Sequence, residues 1–343
     1  MEDLALFYPE NHHLHASLDH PERPERVEAI RQSLEAAGLW DSRWLIEPAD
    51  IPEVVLHSIH TPGHTSRVQL ASQRGGSIDA DTYVTNSSWH LALNAAGGAI
   101  AVGEAVFTRQ AHRGFALCRP PGHHATPDRA MGFCLLNNIA LAAEYLLKNH
   151  SAERIAILDI DLHHGNGTQD IFYHRPDVFF CSIHQYPLYP MTGVVSETGA
   201  GLGENTTLNI PFPPYAGDEA RSAAWNLVIR PLLEEFEPEM LLVSAGFDAH
   251  WRDPLGNQLA TANGYGEMIK QCSAFADEHC DGRLAVFLEG GYDLGAGAEC
   301  ARVVTQALLD QTWEDKIGPS PFPEDISWES RLQQVIRQWD LPA

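Results

Sequence analysis

Six short apolar runs, at residues 4–8, 115–118, 155–159, 178–183, 240–244 and 284–288, punctuate the chain, and what lies between them limits the folds open to it. Helical length and apolar spacing mark residues 24–37, 88–107, 137–148, 218–235, 264–278 and 296–309. Strands that alternate with helices build a mainly parallel sheet covered on both faces, because parallel strands need a crossover and the crossover helix packs back on the sheet. The expected fold is α/β: a single domain over residues 1–343 with a mainly parallel central sheet flanked by helices. No Gly/Ser/Pro linker or fixed-period repeat divides the chain, and 44% hydrophobic residues suffice for a substantial core.

In such sheets ligands bind beyond the carboxyl ends of the strands. Four of the runs are followed at once by chemically loaded residues: FALC by RPPGHH, IAIL by DIDLHH, MLLVSAG by Phe247 and Asp248, and LAVFL by Glu289, Gly290, Gly291 and Tyr292. These four coincidences point to one pocket. The densest stretch is DIDLHHGNGTQ at 159–169, where Asp159, Asp161 and His163 share a face for as long as the chain stays extended. Oxygen donors beside an imidazole suit zinc or a similar divalent ion. An Asp-rich strand end can also cap the next helix, but a cap does not call for two adjacent histidines.

Asp161 and His163 are the expected metal ligands of this stretch, with Asp248 as a third donor. Two carboxylates and one imidazole leave coordination open for water and substrate, as a catalytic site requires. His123 and His124 form a tandem pair on a proline-stiffened loop after Pro120, Pro121 and Gly122, suited to proton transfer. Asp159 and Asn166 are placed to orient imidazoles. Tyr292 follows two glycines, which would let its phenol swing toward the metal and donate to a developing oxyanion. His12, His13, His15, His57, His60, His64 and His184 have no comparable setting and read as surface or core residues.

A formal charge of −24 repels phosphate backbones, which argues against nucleic acid as a direct partner; it favours cationic ligands, and it fits simple solubility or salt adaptation equally well. The acidic N-terminal stretch MEDLALFYPE and the interrupted apolar run around 135–147 give neither a signal peptide nor a membrane span, so the expected location is the cytoplasm. Six cysteines without a C-x-x-C pair argue against a zinc knuckle or a disulfide framework, and most read as reduced core residues.

With these motifs the chain resembles the zinc-dependent histone deacetylases and their bacterial relatives, which include acetylpolyamine amidohydrolases and acetoin-utilisation proteins. The resemblance runs from HPERPERV at 20–27 to LEGGYDL at 288–294 and takes in RPPGHHA, GFCLLNN, DIDLHHGNGTQ and SAGFDAH. It is closest to the class II branch, because RPPGHHA and Asn166 stand where class I enzymes tend to have a different loop and an aspartate. It implies an arginase/deacetylase-like fold and one zinc per chain on Asp161, His163 and Asp248. His124 would be general base and acid, His123 its electrostatic partner, and Tyr292 the group that polarises the amide carbonyl. Phe133 and Tyr189 match the aromatic walls of an acyl-lysine tunnel, Tyr189 standing where many relatives carry phenylalanine. Gly132 and Leu255 join the substrate-binding set, with Asp81 as the rim residue that holds the substrate backbone. One or two structural potassium ions are also implied. The first would use Asp159, Ser182 and the backbone oxygens of Asp161, His163 and Ile183; the second lies around Phe172, Arg175, Val178 and Thr206.

The implied reaction is hydrolysis of an N-acetyl amide, with His124 taking a proton from the attacking water and returning it to the departing amine. Tyrosine rather than histidine at 292 favours an active deacetylase. The expected substrate is acetyl-lysine in peptides or proteins, and the alternative is an acetylated polyamine, which the acidic surface would suit. Against that alternative, Leu255 stands where a polyamine-selective relative carries an acidic gatekeeper, and no long insertion precedes RPPGHHA. A non-catalytic zinc or acyl-ligand module is disfavoured by the complete set of His123, His124 and Tyr292, and a dinuclear ureohydrolase would need more ligands. Oligomeric state stays open, homodimer and homotetramer included.

Overall fold

The computed structural model describes residues 1–342. In chain order the strands are β1 (Glu2–Phe7), β2 (Gly76–Ser77), β3 (Tyr83–Val84), β4 (Ala111–Ala116), β5 (Ile155–Asp159), β6 (Val178–Gln185), β7 (Thr207–Phe212), β8 (Met240–Ala245) and β9 (Leu284–Leu288). The helices are α1 (Glu25–Ala36), α2 (Glu53–Ile59), α3 (Pro62–Arg74), α4 (Ser88–Phe107), α5 (Asn138–Asn149), α6 (Asn166–Phe172), α7 (Asp218–Ala224), α8 (Arg230–Phe236), α9 (Ala262–His279), α10 (Leu294–Leu308) and α11 (Ser327–Gln338). β2 and β3 form a small antiparallel pair. The other seven make an all-parallel sheet in the order β1-β4-β9-β8-β5-β6-β7.

Two-residue strand periodicity explains why the central runs are apolar throughout. Ile155, Ile157, Met240, Leu242, Ala285 and Phe287 pack against a layer that includes α4 and α5. Their neighbours Ala156, Leu158, Leu241, Val243, Leu284 and Val286 pack on the opposite layer, with α1, α9 and α10. Helix α4 is apolar and long enough to cross a bilayer by composition alone, yet it is mostly buried inside the fold. At Gly98 a side chain would collide with the Phe7 ring, so glycine there lets α4 lie close to β1.

Four differences from the expected elements have local causes. The run at 115–118 belongs to a strand that starts at Ala111 and stops at Ala116, so Leu117 and Cys118 already lead into the loop of tandem histidines. β7 escapes an apolar-run criterion because Thr207, Asn209 and Pro211 interrupt it, and a proline is tolerated there because β7 is an edge strand. The helical stretch 218–235 is broken by a π-helical turn at Trp225–Ile229. Four helices, α2, α3, α6 and α11, were not expected at all; α3 carries a start signal in Thr61, whose side chain caps His64 N–H, and in Pro62. All six cysteines are buried and unpaired, as expected.

The sheet order brings the functional loops together. β4, β9, β8 and β5 are the four strands whose ends carry loaded residues, and they lie side by side. Their carboxyl ends therefore converge on one place at the middle of the sheet.

Candidate metal centre and active site

Strand β5 ends at Asp159, so Asp159, Asp161 and His163 do not share an extended face as expected. The carboxylates themselves turn the chain: Asp159 Oδ1 accepts from Asp161 N–H at 3.1 Å, and Asp161 Oδ1 accepts from His163 N–H at 2.7 Å. This turn swings Asp161 and His163 toward Asp248 on the loop after β8, while Asp159 faces His123. Donor atoms of Asp161, His163 and Asp248 lie within 4.8 Å of one another. His163 Nδ1 is 3.1 Å from Asp248 Oδ2 and 3.3 Å from Asp161 Oδ1. Backbone amides steady both carboxylates, Gly290 N–H donating to Asp161 Oδ2 at 2.9 Å and Leu162 N–H to Asp248 Oδ1 at 2.9 Å. A side chain at Gly246 or Gly290 would strike these carboxylates, so glycine is required for the close approach.

This donor set fits a divalent ion of the zinc type. Burial disfavours a charge on His163, but the Asp161 and Asp248 carboxylates outweigh burial and push its imidazole up to about 10. The imidazole is thus the cation that two carboxylates demand, and a metal ion at the same nitrogen displaces its proton. His123, Cys134 and Glu289 form a second close cluster, but both Glu289 oxygens and the Cys134 thiol are already engaged in hydrogen bonds. Glu289 Oε2 accepts from Gly122 N–H and His123 N–H at 2.6 and 3.1 Å, and Oε1 accepts from the Ser244 hydroxyl at 3.0 Å. The Cys134 thiol donates to Gly132 O, and burial holds it well above the usual thiol range.

The tandem histidines are held by different partners and acquire opposite character. His123 Nδ1 donates to Asp159 Oδ2 at 2.9 Å. Its burial opposes charge, yet Asp161, Asp159 and Glu289 together hold it well above the ordinary imidazole range. His124 Nδ1 donates to Asn166 Oδ1 at 2.7 Å, and burial plus the neighbouring His123 and His163 charges hold it well below that range. One ring is therefore cationic and the other neutral, with Nε2 of His124 free to take a proton. Tyr292 is buried, which keeps its phenol protonated as a donor.

A cavity of about 230 Å³ opens onto these groups, lined by Asp81, His124, Gly132, Phe133, His163, Leu188, Tyr189, Leu255 and Tyr292. Every expected substrate-binding residue is present in it, and Leu188 is an addition. The Phe133 ring meets Tyr292 edge-on at 5.7 Å and Tyr189 meets His124 edge-on at 5.2 Å. Gly132 has φ +55°, and a side chain there would collide with the His124 ring. At the rim Asp81 is part-exposed, and its carbonyl accepts from His20 Nε2–H at 3.0 Å. A larger hollow of about 510 Å³ beside α7 and α9 contains none of these residues.

Residues 20–308 match the histone deacetylase domain. The chain belongs to the histone deacetylase family. It is 44% identical over 323 residues to a probable deacetylase of Archaeoglobus fulgidus, covering 93% of this chain and 89% of that one. A histone deacetylase-like amidohydrolase of Pseudomonas aeruginosa is 36% identical over 85% of this chain and 78% of its own. The crystal structure of the HDA15 HD domain matches with a TM-score of 0.90 at 35% identity, covering 99% of this chain and 96% of that one. The protein is accordingly a hydrolase of the deacetylase type.

The histone deacetylase fold also uses residues that motif reasoning left without a role. Glu22 is buried and accepts from Arg119 Nε at 2.7 Å and from Arg26 Nη1 at 3.1 Å. Those two arginines hold the carboxyl of Glu22 down to about 2 against the pull of burial. Arg26 in turn donates to Gly291 O at 2.6 Å and Glu289 O at 2.5 Å, with its guanidinium 4.8 Å over the Tyr292 ring. His15, read as a core or surface residue, lies 3.7 Å from Glu22 inside this network. The stretch HPERPERV contained the signal in Glu22 and Arg26, but not its partners.

The residues expected around potassium are also neighbours. The β5–β6 register pairs Asp159 with Ser182, whose hydroxyl is 3.0 Å from His184 Nδ1, and Ile183 is the next residue of β6. At the second place Arg175 N–H donates to Phe172 O at 2.9 Å and Thr206 Oγ1 donates to Arg175 O at 3.1 Å, with Val178 opening β6.

Proposed function

We propose that this deacetylase removes acetyl groups from the lysine side chains of peptides or proteins, with one zinc ion held by Asp161, His163 and Asp248. The observation that carries the reading is the cavity between Phe133 and Tyr189, which leads to His124, His163 and Tyr292 and is flanked by the apolar Leu255. Aromatic walls suit the methylene stem of an acetyl-lysine and exclude water around the amide.

Zinc held by Asp161, His163 and Asp248 would supply Lewis-acid polarisation of the amide carbonyl and acidify water. His124 is neutral and presents Nε2, so it accepts the proton of the attacking water and then hands it to the departing amine. His123 stays cationic against Asp159 and stabilises negative charge as it develops. The Tyr292 phenol donates to the carbonyl oxygen as that oxygen becomes an anion. Potassium on Asp159, Ser182 and the neighbouring carbonyls belongs to the same proposal, as a ballast of positive charge beneath the carboxylates.

The net charge of −24 favours an acetylated polyamine as the second reading. A polyamine's internal ammonium would meet the apolar Leu255 beside the tunnel, where the one carboxylate among the other lining residues outside the metal site is Asp81 at the rim, and a buried charge that lacks a partner costs several kcal/mol. The test is kcat/KM on an acetyl-lysine peptide and on acetylspermidine. The peptide is expected to be the better substrate, and a roughly tenfold preference for acetylspermidine, about 1.4 kcal/mol of transition-state discrimination, would transfer the assignment to polyamines.

A further inference from the structure

Asp253 is buried and is not a member of the metal set, yet its carboxylate touches two functional segments at once. Oδ2 accepts from Tyr292 N–H at 2.6 Å and from Asp293 N–H at 3.1 Å. Oδ1 accepts from Leu255 N–H at 3.0 Å. The turn it grips needs such a hold. Gly290 and Gly291 precede Tyr292 without side chains to pack, and Gly291 sits at φ +112° with Phe247 Cβ 3.0 Å from where its own Cβ would be. Arg26 and Asp161 secure the two glycines. Asp253 secures the tyrosine itself, and an ion pair between Arg252 and Asp293 at 3.3 Å draws the same two segments together.

We propose that Asp253 is a positioning residue that fixes the backbone of Tyr292 relative to Leu255, so that one carboxylate sets both the placement of the oxyanion donor and the gate beside it. The proposal rests on the reading of Tyr292 given above. A carboxylate is an acceptor at both oxygens, so it can take all three N–H donors. An asparagine of the same size would turn an NH2 group against at least one of them. Tyr292 and Leu255 would then settle independently, and small misplacements of a catalytic donor are costly.

The experiment is a double-mutant cycle on the zinc-loaded protein with Asp253→Asn, Tyr292→Phe and the pair. Asp253→Asn is expected to lower kcat on an acetyl-lysine peptide by roughly tenfold or more, to change the peptide-to-acetylspermidine ratio, and to keep the zinc content of the parent. In the Tyr292→Phe background the same substitution is expected to cost little further, because the group it positions is gone. A full additional loss in that background overturns the proposal, as does zinc loss in the Asp253→Asn protein. Normal turnover by Tyr292→Phe alone overturns the role of the phenol and the inference with it. Should the asparagine variant not fold, Asp253→Glu, which keeps the charge but overreaches, goes through the same cycle with the same expected non-additivity.

Discussion

Asn166 Oδ1 accepts from His124 Nδ1 at 2.7 Å, and that one bond decides which nitrogen of the imidazole faces the tunnel. An amide oxygen orients the ring without adding charge. Asn166→Asp would place a carboxylate at the same atom and favour the imidazolium, raising the pKa of His124. The proposed base works as a neutral ring, so the acidic limb of the kcat/KM profile is expected to move to higher pH. A limb that stays in place would show that His124 is not the base.

Tyr292→Phe removes a buried donor from the tunnel and leaves Asp161, His163 and Asp248 untouched. Zinc content is expected to stay at the parent level while kcat falls by roughly a hundredfold or more, as for loss of an oxyanion donor. Metal analysis and steady-state kinetics on the same sample decide it. Unchanged turnover would remove the phenol from the mechanism.

Leu255→Glu adds a carboxylate beside the tunnel that could pair with the internal ammonium of a polyamine. The ratio of kcat/KM for acetylspermidine over acetyl-lysine peptide is expected to rise by ~10-fold, since an ion pair in a partly desolvated site contributes more than one at the surface. An unchanged ratio would mean that position 255 does not select substrates.

Glu22 is held at about 2 by Arg119 and Arg26, so it stabilises the fold wherever it is ionised in both states. A depressed carboxyl contributes fully above its unfolded pKa and loses that contribution as pH falls through the folded value. Glu22→Gln is therefore expected to cost roughly 3 kcal/mol at neutral pH, and the gap from the parent is expected to close between about pH 4.5 and pH 2. Denaturant titrations of both proteins across that window give the answer. A gap independent of pH would assign the loss to packing instead.

Much of the site could be read from the chain because its residues follow directly on apolar strands. Asp161, His163, Asp248 and Tyr292 each lie within four residues of a strand end, His123 and His124 follow β4 by way of the proline loop, and the sheet order makes those ends adjacent. What could not be read is how the loops bend once extension stops: the face expected to be shared by Asp159, Asp161 and His163 is lost because side-chain-to-backbone bonds, not strand periodicity, shape residues 159–163. Long-range partners were equally hidden. Glu22 and Arg119 meet across 97 residues, Arg26 and Gly291 across 265, and neither pairing leaves a local pattern. β7 stayed invisible for a different reason, since an edge strand need not be uniformly apolar.

The central claim is that turnover depends on a metal ion held by Asp161, His163 and Asp248, and the most direct measurement is zinc content alongside hydrolysis of an acetyl-lysine peptide. Chelator-treated protein is expected to lose activity and regain it as zinc approaches about one equivalent per chain, while Asp161→Ala and Asp248→Ala bind zinc more weakly and stay inactive. Full turnover by metal-free protein, or undiminished zinc binding by both alanine variants, would contradict it.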